Sequence, residues 1–321
     1  MIRVLILGAA NIAERSVIPS LLNHKSFSIV GLATKSRYNE IQNHYDFSIY
    51  NDYEEALILV DYDLVYIPLP TGLHYQYIKR ALELQKHVWC EKSLGQNYEE
   101  IVELVDLAHK NSRVLFESFQ FRFHSQVLEL KKIVKGGVLG DIRLFRSFFG
   151  FPPFQDRDNI RYIKKLGGGA LLDAGAYPVK VLSEFFEDEL EVLSASLNSS
   201  EGYDVDLYGS AQLKSLRTGV DIQIAFGFDN FYQNGIEIWG SQGKLFSNRL
   251  FTAPKDFIPE IELRNKEGIT VIRCSSDDHF ANMLEYIAQL LTRTDMMKKE
   301  YLQILRQGKL IDQIKRLSNG K

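Results

Sequence analysis

"VLILGAANIAERSVIPSLL", residues 4–22, decides how the first half of the chain folds. It reads as a strand, a tight turn and a helix. The run "IRVLIL" (2–7) is apolar almost throughout, as expected of a strand buried on both faces. The turn approximates the dinucleotide fingerprint G-x-G-x-x-G/A through Gly8, Ala10 and Ala13. Gly8 makes the turn. The backbone of Ala9, Ala10, Asn11 and Ile12 is expected to face a pyrophosphate seated on the free N–H groups of the helix N-terminus. Alanine at the second glycine position is a departure, because its methyl group takes space where phosphates come close. An ordinary strand–helix turn would read similarly. Its place at residue 8, heading a strand–helix alternation, favours the nucleotide.

That alternation continues outward. "FSIVGLA" (27–33), "DLVYIPL" (63–69), "HVWC" (87–90) and "RVLFES" (113–118) repeat the strand theme. Between the last two lies a helix, "NYEEIVELVDLAHK" (97–110), with Asn97 as N-cap and Glu100 three residues on. Such alternation implies a doubly wound parallel sheet. The end of the second strand speaks to the ribose, where an NAD-preferring site usually offers an acid. Here Ala33-Thr34-Lys35-Ser36-Arg37 has no acid, and Thr34, Lys35 and Arg37 suit a 2′-phosphate. NADP(H) is therefore favoured, with NAD(H) as the alternative; a solvated basic turn is the plainer reading.

From about residue 121 the pattern changes. After a helix at 125–135 come β-like runs at 141–151, 190–198, 204–213, 220–228, 236–247 and 269–274, joined by polar turns. The tail from Asp277 reads helical. The expected architecture is α/β: a Rossmann domain at 1–120, then an α+β domain at 121–321 with a large, mostly antiparallel open sheet. An open sheet with few helices to cover it predicts a homodimer or homotetramer through its second face.

Hydrophobic residues make up 45% of the 321 and charged residues 25%, as in an ordinary globular protein. A net charge of −3 gives no electrostatic reason to expect nucleic acid or an anionic membrane as partner. No apolar run reaches the roughly 18 residues of a spanning helix. The N-terminus lacks a basic n-region and reads as structure, not a signal peptide. Cys90 and Cys274 lie far apart and outside metal-ligand spacing, which points to a reducing cytoplasm and no metal site.

Four motifs in order resemble the Gfo/Idh/MocA oxidoreductases (glucose–fructose oxidoreductase, inositol dehydrogenase) along nearly the whole chain. Besides the glycine loop, "YIPLPTGLHYQYIKRALELQKHVWCEKSL" resembles the family's proline–asparagine loop, histidine and glutamate–lysine–proline motif through Pro70, His74, Glu91 and Lys92. Thr71 stands where asparagine is usual, and Ser93 where proline is usual. "FQFRFH" (119–124) resembles the arginine-bearing stretch that follows. "NIRYIKKLGGGALLDAGAYPV" (159–179) resembles the family's helix in the subgroup with tyrosine at the last catalytic position. The resemblance implies hydride transfer between nicotinamide and a sugar or sugar-nucleotide carbon. A dihydrodiol or other small-diol dehydrogenase is the alternative enzyme, and a non-catalytic dinucleotide sensor the alternative of another class.

With the hydride left to the cofactor, the protein has one proton to move. Asp173 and Tyr177, four residues apart, share a helix face. Bringing a phenol from about 10 to about 7 takes roughly 4 kcal/mol, which a cation about 4 Å away at an effective dielectric of about 20 supplies. Lys92 is the candidate cation, and Asp173 orients it or a substrate hydroxyl. The three glycines at 167–169 are expected to let the backbone approach the ligands. Without the resemblance, Asp173 would be a helix pair and Tyr177 a core residue. Arg122 and Arg161 suit an anionic substrate, or equally a domain-interface salt bridge. Trp239 is expected to pack within its strand.

Overall fold

The apolar runs of the first half become strands of one parallel sheet. β1 (Ile2–Leu7), β2 (Phe27–Ala33), β3 (Ile49–Tyr50), β4 (Leu64–Ile67), β5 (His87–Glu91) and β6 (Leu115–Ser118) lie in the order β3-β2-β1-β4-β5-β6. Val4 to Leu7 and Leu64 to Ile67 are fully buried, as in a sheet covered on both faces. β2 flanks β1 on one side and β4 on the other, so the strand order reverses there. Sheets of this kind bind ligands at that switch, outside the carboxyl ends of the strands. Helix Tyr98–Lys110 begins as predicted, with the Asn97 side chain accepting from the Glu100 N–H at 2.9 Å. β3 is only two residues long and left no apolar pattern to read.

The second sheet has eight strands. β7 (Ile142–Gly150), β8 (Leu190–Asn198), β9 (Tyr208–Ser215), β10 (Asp221–Gly227), β11 (Gln233–Gly240), β12 (Gly243–Asn248), β13 (Glu260–Asn265) and β14 (Gly268–Arg273) run in the order β14-β13-β12-β11-β7-β10-β9-β8. β7 and β10 pair in parallel and the other neighbours antiparallel, which matches the expected mostly antiparallel sheet. Two strands escaped the pattern reading. The run at 236–247 folds back on itself as β11 and β12, and β13 is too charged to read as apolar. One face of the sheet carries the core, including Phe145, Phe149, Ile222, Ile224 and Ile236. Trp239 corrects an expectation: it is 43% exposed rather than packed within the sheet, because its register with Leu144 and Lys244 puts it on the outward face.

The computed structural model describes residues 1–320 and falls into two units. One comprises residues 1–118 and 280–306; the other comprises 119–279 and the residues from 307 onward. Residues 280–306 belong to the first unit by their contacts. Met283, Leu284 and Ile287 are buried, and Met283 Sδ accepts from the Ser118 hydroxyl at 3.8 Å in the first unit. Helix Thr294–Ser318 serves both units: Tyr301 donates to the Arg113 carbonyl, and Gln307 Nε2 donates to the Ala176 carbonyl at 2.8 Å. Among the described residues, no helix is long and apolar enough to cross a membrane.

Candidate active site

Gly8 ends β1 with φ +125°, a conformation that favours glycine. A Cβ there would stand 3.0 Å from Leu69 Cδ2, so the turn is closed to larger residues. Ala9 and Ala10 follow, and the helix starts at Asn11 and Ile12. Residues Ala13–Val17 form a π turn before the α-helical stretch Ile18–Leu22, a feature frequent at functional sites. The first N–H groups of a helix lack intrahelical partners, which suits them to phosphate.

The three ribose-end residues separate. Thr34 is buried, its N–H bonded to the Tyr50 carbonyl at 2.9 Å. Lys35 pairs with Asp52 at 3.3 Å and lies 5.2 Å over the Tyr53 ring. Arg37 alone reaches the glycine loop, donating from Nη1 to the Ala9 carbonyl at 3.0 Å and to Glu14 at 2.5 Å, with Nε on Glu40 at 2.9 Å. The Arg37 fork thus lies beside the glycine loop, and no acid stands at the end of β2.

Pro70 precedes helix Thr71–Glu83, in which His74 is fully buried. Its ring nitrogens lie 2.7 Å from the Ser93 carbonyl and 2.6 Å from the Leu69 carbonyl. Burial takes the imidazole down to about 4, and the charge of Lys92 acts in the same direction, although both carbonyls favour a protonated ring. His74 therefore ties the loop after β4 to the loop after β5. Glu91 ends β5, where burial pushes its carboxyl up against the hydroxyls of Tyr66 (2.9 Å) and Ser118. Lys92 follows at once, and the Lys92–Ser93 peptide is cis although Ser93 replaces the usual proline.

The helix carrying Asp173 and Tyr177 has a π turn at Leu171–Gly175 and an α-helical turn at Ala176–Lys180. Two of the glycines before it make room within the fold. A Cβ on Gly168 would stand 2.5 Å from the Arg161 carbonyl, and one on Gly169 would stand 2.4 Å from Asp206 Oδ1. Asp206 closes the helix start, accepting from the Leu171 N–H at 2.6 Å through its side chain and from the Ala170 N–H at 2.8 Å through its carbonyl. Burial pushes the Asp206 carboxyl up, and these backbone donors oppose the rise. No local signal announced Asp206, which lies far along the chain from the helix it caps.

Tyr177 packs against Phe119, Phe121, Phe149 and Phe251, with ring centroids 5.2 to 6.0 Å away. Asp173 accepts from Arg161 Nε at 2.6 Å, and the Arg161 guanidinium lies 4.7 Å over Phe154. Arg122, with a side chain 6% exposed, donates from Nε to Glu184 at 3.1 Å. Burial raises the Glu184 carboxyl, but Arg122 and Lys131 outweigh it and leave the group below its usual range. Both arginines thus hold carboxylates of their own unit.

Residues 2–119 match the oxidoreductase family with an NAD-binding Rossmann fold, and residues 127–246 match the GFO/IDH/MocA C-terminal domain. The chain belongs to the Gfo/Idh/MocA oxidoreductases. It is accordingly an NAD(P)-dependent oxidoreductase. It is similar to two proteins described as dTDP-3,4-didehydro-2,6-dideoxy-alpha-D-glucose 3-reductase. The one from Saccharopolyspora spinosa is 33% identical over 86% of this chain and 83% of that one. The one from Actinomadura kijaniata is 32% identical over 98% of this chain and 95% of that one. A solved 3-ketoreductase from Actinomadura kijaniata, in complex with NADP and TDP-benzene, superposes with a TM-score of 0.93 at 32% identity, covering 98% of this Gfo/Idh/MocA chain and 97% of the other.

Proposed function

We propose that this oxidoreductase reduces a 3-keto group on a dTDP-linked deoxysugar, with NADPH as the preferred cofactor. The likeness to 3-reductases of such sugars, running through both units at about one-third identity, carries the reading. Gly8, Ala9, Ala10, Asn11 and Ile12 would hold the pyrophosphate, with Arg37 at the ribose end and Pro70, His74, Glu91 and Lys92 shaping the loops after β4 and β5. The bound dinucleotide supplies the hydride. The ketone oxygen then needs one proton, which Tyr177 would pass with Lys92 as the cation that tunes it. Asp173 orients its neighbours through its bond to Arg161. Cys90 and Cys274 are free thiols, in keeping with a reducing cytoplasm.

NADPH oxidation with a dTDP-linked 3-keto-6-deoxyhexose tests the substrate. Turnover at least a hundredfold above that with xylose or a cyclic dihydrodiol is expected; comparable rates on the free sugar or diol would overturn the assignment.

We further propose that a second copy covers the outward face of the eight-stranded sheet. Apolar Phe148, Phe246 and Val271 lie in register there among Gln223, Arg146 and Glu237. Phe148 and Phe246 stack at 6.5 Å, and Val271 and Trp239 are exposed. Apolar side chains set among polar ones on an open sheet suit an interface. Light scattering at micromolar concentration should give a dimer or a larger even-numbered species, and a monomer throughout would refute this.

A further inference from the structure

Lys180 ends the α-helical turn that carries Tyr177, and nothing above uses it. The two residues are three apart, which on a helix places their Cβ atoms about 5–6 Å from each other. Lys180 is fully buried. Lysine is almost never so placed unless its charge has a use or a partner. Its Nζ stands 5.2 Å from the centroid of the Phe119 ring. The same ring meets Tyr177 edge-on, with centroids 5.5 Å apart. Ammonium and phenol thus share one phenylalanine, inside a cluster of aromatic rings where charges are weakly screened.

We propose that Lys180 is a positioning residue for Tyr177, its buried ammonium behind Phe119 stabilising the negative charge the phenol gains as its proton leaves for the substrate oxygen. The proposal rests on Tyr177 as a proton donor. It extends the reactive stripe of this helix by one turn, from Asp173 and Tyr177 to Lys180. A charge at such a separation, acting through an effective dielectric of about 20, changes a rate on the order of 10- to 30-fold.

A double-mutant cycle with NADPH and a dTDP-linked 3-keto-6-deoxyhexose tests it. Lys180→Met keeps the aliphatic stem and removes the charge. It is expected to lower kcat about 10- to 30-fold, with both KM values within about threefold of the parent. Lys180→Arg should recover most of the loss, which a purely packing role would not produce. In a Tyr177→Phe background, Lys180→Met should change kcat by less than about twofold, since the phenol it serves is gone. Two results overturn the proposal: a Lys180→Met kcat within twofold of the parent, or the same loss with and without the Tyr177 hydroxyl. If Lys180→Met does not fold, Lys180→Gln is judged by the same limits. Full turnover by Tyr177→Phe alone would instead overturn the reading of Tyr177 beneath it. A slow Tyr177→Phe beside an unimpaired Lys180→Met would sink the Lys180 proposal only.

Discussion

Lys92→Met is expected to lower turnover by about 10²–10⁴-fold, the range of a disabled general acid, because Tyr177 loses the charge that tunes it, while NADPH affinity stays within about threefold. Lys92 leaves β5 directly after Glu91, at the carboxyl edge of the sheet where ligands of this fold bind. Its chain position is fixed from two directions. Glu91 is held by Tyr66, and the Ser93 carbonyl is held by His74. Methionine keeps the length and apolar stem but carries no positive charge to tune the Tyr177 phenol. Tyr177→Phe keeps the ring among its four phenylalanine neighbours and removes only the hydroxyl, so it should fold normally and lose at least tenfold in turnover. The double variant should be little slower than Lys92→Met, because groups acting as a unit are not additive. Stopped-flow measurement of NADPH oxidation separates this chemistry from product release. A Lys92→Met rate within fivefold of the parent would remove Lys92 from the proton path.

Arg37→Ala should weaken NADPH about 10- to 150-fold and NADH less than twofold. The range corresponds to losing hydrogen bonds from a charged group, about 1.5–3 kcal/mol. Both Lys35 and Arg37 follow β2, but their surroundings differ. Arg37 lies against the Ala9 carbonyl in the glycine loop, whereas Lys35 is turned to Asp52. Lys35→Ala is therefore the control and should cost NADPH less than Arg37→Ala. Glu14 and Glu40 already accept from Arg37, so a 2′-phosphate must compete with them. Glu14→Gln should accordingly tighten NADPH binding. Fluorescence titration of both cofactors reads these effects, and equal weakening of NADPH and NADH by Arg37→Ala would refute the assignment.

The first unit was legible in the sequence because its signals are local. A strand buried on both faces must be a continuous apolar run, and a glycine at φ +125° must interrupt it before a helix. Both facts lie within the residues of "VLILGAANIAER". The Asn97 cap was read the same way, whereas the motif around Glu91 and Lys92 and the tyrosine subgroup were read from the family resemblance. The antiparallel sheet was read less completely. Its strands are buried on one face only, so a charged strand such as β13 carries little apolar pattern.

Only tertiary structure decided the rest. It gave residues 280–306 to the first unit, because an amphipathic helix does not announce which apolar surface it will cover. It showed that Gly168 and Gly169 make room for the Arg161 carbonyl and Asp206. It set Arg37 against the Ala9 carbonyl and Lys35 against Asp52, tied Arg122 to Glu184 and Arg161 to Asp173, and buried Lys180 beside the ring that Tyr177 touches. Each of these depends on a partner distant in sequence or on a side-chain direction. Burial and pairing across such separations are properties of the packed chain, and no local spacing encodes them.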